Sequence, residues 1–379
     1  MTSFQKRVAI LGTGWGTGVT APALRAEGWE IRALFSRRPE RAEQIATKLS
    51  IPHHTDDAHA LLRRNDIDAV VISTPTSTHH EYVLEAMQAG KHVLCEKPFA
   101  ADLTQGRAMI EAAQDSKLTA MCNFEFRYTD HRLLITRLMQ DDLIGTVQSA
   151  TATFYFSVPS SQPLDWRSQV AMGGGALNEH GSHYLDALRG WMGEPSAISA
   201  QLATHEPLRI DPETREEARS DVDDFVAATV QFASGAIANL SIVWSSRVPT
   251  RGELSLTGPG GTISHRSPAG LFGMGEVRHT ASAPASAELR NVAAGYRIGE
   301  EDGAPSPRSE GAPLALPRDI ELLPGPENVA ASRRLLRDFE RGIEEGRSPT
   351  PNFEDGLRTQ AMLDAARESA REGRVVALT

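Results

Sequence analysis

The apolar positions fall into two patterns along the chain. In the first third, the runs Arg7-Val-Ala-Ile-Leu11 and Asp68-Ala-Val-Val-Ile-Ser73 are apolar without the alternation of a strand that has one wet face. Strands of that kind lie inside parallel sheets. Glu30–Phe35 and His92–Cys95 add two further strands. Between these runs, Val19–Glu27, Pro39–Leu49 and Thr78–Ala89 carry helical spacing, the second with proline in its first turn and the third stopping at Gly90. Alternation of strand and helix up to Asn123 predicts a doubly wound α/β domain with right-handed crossovers.

Beyond Asn123 the pattern changes to long β-rich stretches at Thr146–Val158, Phe225–Phe232 and Ala236–Trp244, with a turn at Ser234-Gly235. These predict a second α/β domain built on an open, largely antiparallel sheet. The region Ser282–Pro326 is rich in glycine and proline and is expected to form extended loops or a partner-binding excursion. Helical spacing returns at Phe353–Arg371 and ends at Gly373. A length of 379 residues suits two domains better than one.

Composition narrows the classes. An apolar fraction of 40% and a charged fraction of 23% are those of an ordinary globular protein. The 39 basic and 49 acidic side chains give a net charge of −10, which repels a phosphate backbone unless cations gather in one patch. The densest basic run, Arg37-Arg38 with Arg41 close by, is too short for that, so no nucleic-acid partner is expected. Met1–Lys6 lacks the apolar stretch of a signal peptide and no apolar run is long enough to span a bilayer, which points to the cytoplasm and away from a membrane. Cys95 and Cys122 match neither a redox pair nor a zinc site and are expected as buried thiols.

Candidate chemistry begins at Gly12-Thr-Gly14-Trp15-Gly16-Thr17-Gly18, between a strand and a helix. In a dinucleotide fold the first glycine allows the tight turn, and the second lets backbone approach a pyrophosphate resting on the helix N-terminus. The third position needs only a small residue and is Thr17 here. About twenty residues further on, where an acid would bind the ribose hydroxyls of NAD, stand Ser36, Arg37 and Arg38. Guanidinium geometry suits a 2′-phosphate, so NADP is favoured over NAD.

A third run joins Ser73-Thr74-Pro75 and His79-His80 to Glu96-Lys97-Pro98. Together with Gly173-Gly-Gly-Ala-Leu-Asn-Glu179-His-Gly-Ser-His183 and Gly258-Pro-Gly-Gly-Thr262, it closely resembles the Gfo/Idh/MocA family of oxidoreductases over nearly the whole chain. The resemblance implies that Lys97 is the catalytic lysine, that Pro98 shapes its turn, and that Ser73, Thr74 and Pro75 line the nicotinamide end of the cofactor site. His79 and Glu96 are further candidates for cofactor binding. A lysine partly desolvated near a cationic nicotinamide would have its pKa lowered enough to exchange a proton with a substrate hydroxyl. His183 maps to the family's catalytic histidine. Glu179 stands where the family has aspartate, and the extra methylene moves the carboxylate expected to orient His183 or hold a substrate hydroxyl.

Asp165-Trp166-Arg167 and the stretch Asn123–Arg127 are further polar candidates for substrate hydroxyls. Glu179, His180 and His183 also invite a metal reading, but they lack the signature of a zinc protease and the resembled family needs no metal. The cluster His53-His54 is expected in a loop. The combined expectation is residues 1–123 for NAD(P) and 124–379 for substrate binding and oligomerisation, with the active site between them and a homo-oligomer formed through the open sheet. Hydride would pass between nicotinamide and a carbinol or carbonyl carbon of a sugar, cyclitol or related polyol. Two alternatives stay open: a lyase or glycosidase that uses tightly bound NAD transiently, and a cofactor-binding regulator without turnover.

Overall fold

The structure, a computed structural model, describes residues 4–157, 163–268, 275–282, 313–317 and 319–378. The chain divides into two compact units, one of Met1–Tyr128, Ala171–Gly173 and Asn328–Ala361, the other of Thr129–Val170, Gly174–Glu327 and Met362–Thr379.

The first unit is built on six parallel strands: β1 (Arg7–Leu11), β2 (Glu30–Phe35), β3 (His53–Thr55), β4 (Ala69–Ile72), β5 (His92–Glu96) and β6 (Ala120–Asn123). They lie in the order β3-β2-β1-β4-β5-β6. Both faces of the sheet are covered, which is why the strands are apolar throughout. On one face Ala9, Leu11, Val70 and Ile72 pack with Tyr82, Val83 and Met87 of the helix His79–Gln88 and with Met109 and Ile110 of Leu103–Ser116. On the other, Val8, Ile10, Ala69 and Val71 pack with Leu24, Trp29, Leu335, Leu336 and Phe339.

Those last three residues belong to a helix, Glu327–Glu345, that the sequence reading passed over. Its charged residues mask an apolar stripe at Leu335, Leu336, Phe339 and Ile343. The stripe is buried, with the Phe339 ring stacked on Trp29 at 5.9 Å between centroids. Residues 328–361 therefore pack with the nucleotide-type sheet, whereas the sequence reading assigned everything after 123 to a second domain. His53-His54, expected in a loop, pairs with Ala33 and Leu34 as part of the short edge strand.

The second unit carries an eight-stranded sheet: β7 (Ser149–Tyr155), β8 (Pro195–Ala203), β11 (Phe225–Phe232), β12 (Ile237–Val243), β13 (Arg251–Gly258), β14 (Gly261–Ser267), β15 (Glu276–Ala281) and β16 (Val376–Ala377). A separate pair is formed by β9 (Leu208–Ile210) and β10 (Glu217–Arg219). The order β15-β14-β13-β7-β12-β11-β8-β16 is antiparallel except for the parallel pair β7–β12. The strands alternate buried and accessible positions, as in Ser149–Tyr155 and Arg251–Gly258, the pattern of a sheet with one covered face. The helix Ser182–Met192 supplies buried side chains to that core, its Tyr184 ring 6.2 Å from Phe154. Most of the Ser282–Pro326 region lies outside the described residues; within it, Pro313 and Leu314 pair along β15.

Candidate functional site

The glycine loop of the first unit follows β1 and abuts β4, the two strands at which the sheet order reverses and ligands of doubly wound folds bind. Gly12 has φ +113°, and a Cβ there would stand 2.1 Å from the carbonyl oxygen of Ser73, so only glycine fits. A Cβ on Gly16 would come within 2.9 Å of the Ile10 and Ser73 side chains, and its N–H donates to Ser73 Oγ at 3.0 Å. Close packing of helix on strand thus falls on Gly16 rather than on Thr17, whose hydroxyl donates to the Thr13 carbonyl at 2.9 Å. Gly14 has nothing within 4 Å of its Cβ position. A loop that is tight at Gly12, packed at Gly16 and open at Gly14, at the start of a helical segment, fits a pyrophosphate. The Trp15 ring meets Phe126 edge-on at 6.2 Å.

At the end of β2, Ser36 is buried and its Oγ accepts the Arg38 N–H at 3.2 Å, while Arg37 and Arg38 are exposed residues. Arg41, which the sequence reading left out of the site, donates from Nε to Thr13 Oγ1 at 2.9 Å. It is thereby attached to the glycine loop itself. The signal was its place one turn into the helix Pro39–Lys48, which brings it back over that loop.

Ser73-Thr74-Pro75 and Glu96-Lys97-Pro98 are joined by His79. This imidazole is 1% exposed, with Nε2 2.9 Å from the Thr74 carbonyl oxygen and Nδ1 3.1 Å and 3.3 Å from those of Pro98 and Phe99. Burial lowers its pKa. Both ring nitrogens face main-chain carbonyls, so His79, a cofactor candidate in the sequence, pins the two loops together. Lys97 is half-buried, next to a cis bond to Pro98. Glu96 is buried and accepts from Asn123 Nδ2 at 2.6 Å. Arg127, expected at the substrate, pairs with Asp355 at 3.2 Å and donates to Thr350 Oγ1 at 2.8 Å.

In the second unit, Asp165 caps the turn Trp166–Ser168, its Oδ1 accepting the Arg167 N–H at 2.8 Å. The Arg167 guanidinium lies 4.6 Å from the Trp166 ring centroid and bridges two carboxylates, Asp165 at 3.0 Å and Glu179 at 3.3 Å. Glu179 lies in a π-helical turn, Leu177–Gly181, that precedes the helix Ser182–Met192, so its four-residue separation from His183 is not that of a regular α-helix.

His183 is buried, and its carbonyl oxygen accepts from Arg132 Nη1 at 3.2 Å. Asp223 holds the start of this segment, accepting the Leu177 N–H at 2.7 Å, and burial raises its pKa. Arg132 and Asp223 are distant in sequence and left no motif to find. His180 turns into an aromatic cluster, where its Nδ1 accepts from Trp244 Nε1 at 2.8 Å beside Phe154 and Phe156.

Two family models match the chain. One, described as an oxidoreductase family with an NAD-binding Rossmann fold, covers residues 6–124; the other, the Gfo/Idh/MocA C-terminal domain, covers 132–264. The chain belongs to the Gfo/Idh/MocA family. Among its relatives in that family, levoglucosan dehydrogenase of Pseudarthrobacter phenanthrenivorans is 28% identical over 92% of this chain and 89% of its own. Inositol 2-dehydrogenase of Rhizobium meliloti is 29% identical, covering 98% and 99% of the two chains. D-xylose 1-dehydrogenase (NADP(+)) 2 of Haloferax volcanii is 27% identical, covering 97% and 98%. A solved levoglucosan dehydrogenase in complex with NADH and L-sorbose superposes with a TM-score of 0.83 at 25% identity, covering 98% of each chain. The Gfo/Idh/MocA fold, with its parallel nucleotide-binding sheet and largely antiparallel second sheet, is thus present in full outline. No helix among the described residues is long and apolar enough to cross a membrane.

Proposed function

We propose that this protein transfers a hydride between NADP and a carbinol carbon of a small polyhydroxylated molecule, a sugar, cyclitol or derived ketone. The glycine loop carries this reading: Gly12 and Gly16 are filled against Ser73 and Ile10 while Gly14 is left open. When bound, the nicotinamide supplies the hydride acceptor. Lys97 takes the hydroxyl proton, His183 holds and shares that proton, and Glu179 supports the substrate hydroxyls through its pairing with Arg167. Arg37 and Arg38, with Ser36 and no acid at the end of β2, support NADP, although the solved relative was complexed with NADH. Names of relatives that act on levoglucosan, inositol and xylose support the substrate class. The accessible face of the eight-stranded sheet, where Ile237 is 44% exposed, is the proposed surface for a second copy.

The test is a screen of sugars and cyclitols with NAD and NADP, reading absorbance of the reduced nicotinamide, with Lys97→Ala alongside. Turnover should fall by about a hundred- to ten-thousandfold in the variant while cofactor affinity holds. Substrate change without net nicotinamide reduction would favour a lyase or glycosidase that returns the hydride in each cycle.

A further inference from the structure

We propose that the substrate site of the second unit is built for an uncharged polyol and discriminates against uronates and sugar phosphates, a refinement that rests on the hydride-transfer reading above. The argument is the allocation of charge around Arg167. Its guanidinium, the cation of this stretch able to meet an anion, is already bound on two sides, to Asp165 at 3.0 Å and to Glu179 at 3.3 Å, and its face lies on Trp166. The same loop is edged by two more carboxylates. Asp221 Oδ1 accepts the Val170 N–H at 2.7 Å, and Asp223 accepts that of Leu177 at 2.7 Å. Arg367, which reaches Asn178, is itself paired with Asp364 at 3.0 Å.

The carboxylates of Asp165, Glu179 and Asp221 therefore outnumber the guanidiniums of Arg167 and Arg367 among the groups that edge the Trp166–Glu179 loop, in a chain that already carries a net charge of −10. An entering carboxylate or phosphate would have to displace Asp165 or Glu179 from Arg167 and then sit among like charges, the arrangement by which sites reject wrong partners. A hydroxyl meets no such barrier. It donates to a carboxylate oxygen of Asp165 or Glu179 and accepts from the guanidinium edge without altering the charge balance, so the pre-formed pairs match adjacent hydroxyls on a sugar or cyclitol.

The experiment uses the full chain and matched pairs: D-glucose against D-glucuronate and D-glucose 6-phosphate, and myo-inositol against its monophosphate. Two quantities are read for each, kcat/KM from nicotinamide absorbance and binding from fluorescence of the enzyme-bound reduced cofactor. The neutral member should be preferred by about tenfold or more. Asp165→Asn keeps an oxygen to cap the Arg167 N–H but removes one negative charge, so it should narrow that ratio several-fold, and Asp165→Ser should do the same if the asparagine variant folds poorly. Equal or tighter binding of the anionic members, failure of every neutral member to bind, or a ratio unchanged in both variants overturns the proposal. Failure of the hydride-transfer reading shows differently, as ligands that bind with the expected charge preference while nicotinamide absorbance stays constant.

Discussion

The Nδ1 atom of His79 lies 3.1 Å from the carbonyl oxygen of Pro98, one residue beyond Lys97. Because the other ring nitrogen faces Thr74, one buried side chain sets the spacing between the Ser73-Thr74-Pro75 loop and the turn that carries the proposed acid/base. His79→Leu leaves buried carbonyls without a polar partner and should cost about 1–3 kcal/mol of stability. Turnover should fall further than cofactor affinity, because Lys97 loses its support. Thermal unfolding and steady-state kinetics check the two parts, and a variant that melts earlier yet keeps its full kcat would show the pin to be purely structural.

Cofactor choice is predicted to reside in three arginines. Replacing Arg37 and Arg38 by alanine, or Arg41 alone, removes charge-assisted bonds available only to a 2′-phosphate and should weaken NADP by about ten- to hundredfold while changing NAD much less. Fluorescence titration with each cofactor decides it. Equal losses would place these arginines outside the ribose site.

The glycines of the loop should separate by cause. Gly12→Ala places a Cβ 2.1 Å from the Ser73 carbonyl at φ +113°, so the fold itself must yield and the melting temperature should drop with cofactor binding. Gly14→Ala meets no protein atom within 4 Å. It should melt normally and still bind dinucleotide poorly, because the added methyl occupies the backbone approach to the pyrophosphate. Calorimetry of both variants with and without cofactor distinguishes the two.

A fourth prediction concerns acid. The His265 ring stacks on His131 with centroids 4.2 Å apart, and burial, with His131 and Arg132 beside it, holds His265 at about 2. Folded His265 stays neutral while the unfolded chain takes up a proton near pH 6.5. Stability should therefore fall as pH drops below about 6.5, with this one group contributing a slope of about 1.4 kcal/mol per pH unit. His265→Phe should flatten the dependence by that amount, as measured by denaturant unfolding from pH 7 to 4.

What could be read in advance follows the range of the interactions involved. The strands β1, β2 and β11 match their expected bounds because burial on one or both faces is written directly into residue alternation. The glycine loop was legible because its demands are local and backbone-imposed. Thr17 and Gly16 exchanged roles because which residue presses on a strand depends on the pitch of the turn, which here is π-helical. Arg167 is a substrate candidate in the sequence, but spacing alone assigns its partner Glu179 to His183. A spacing of four suggests a helix face and carries no information about a guanidinium arriving from another loop. Asp223 and Arg132 act through single bonds to backbone groups far along the chain, and no periodicity records such bonds.

The return of residues 328–361 to the first sheet bears on how the molecule is made. A ribosome that has released the chain only to Tyr128 has produced six strands with one apolar face covered only in part, by Leu24, Trp29 and Ala46, since Leu335, Leu336 and Phe339 are not yet synthesised. Vectorial folding of the nucleotide-binding unit cannot finish until the whole of the intervening unit has emerged, so the two must mature together. For the same reason a fragment cut at the apparent end of the nucleotide fold should be sticky and short-lived, and a chain stripped of its last fifty residues should lose the cofactor unit first.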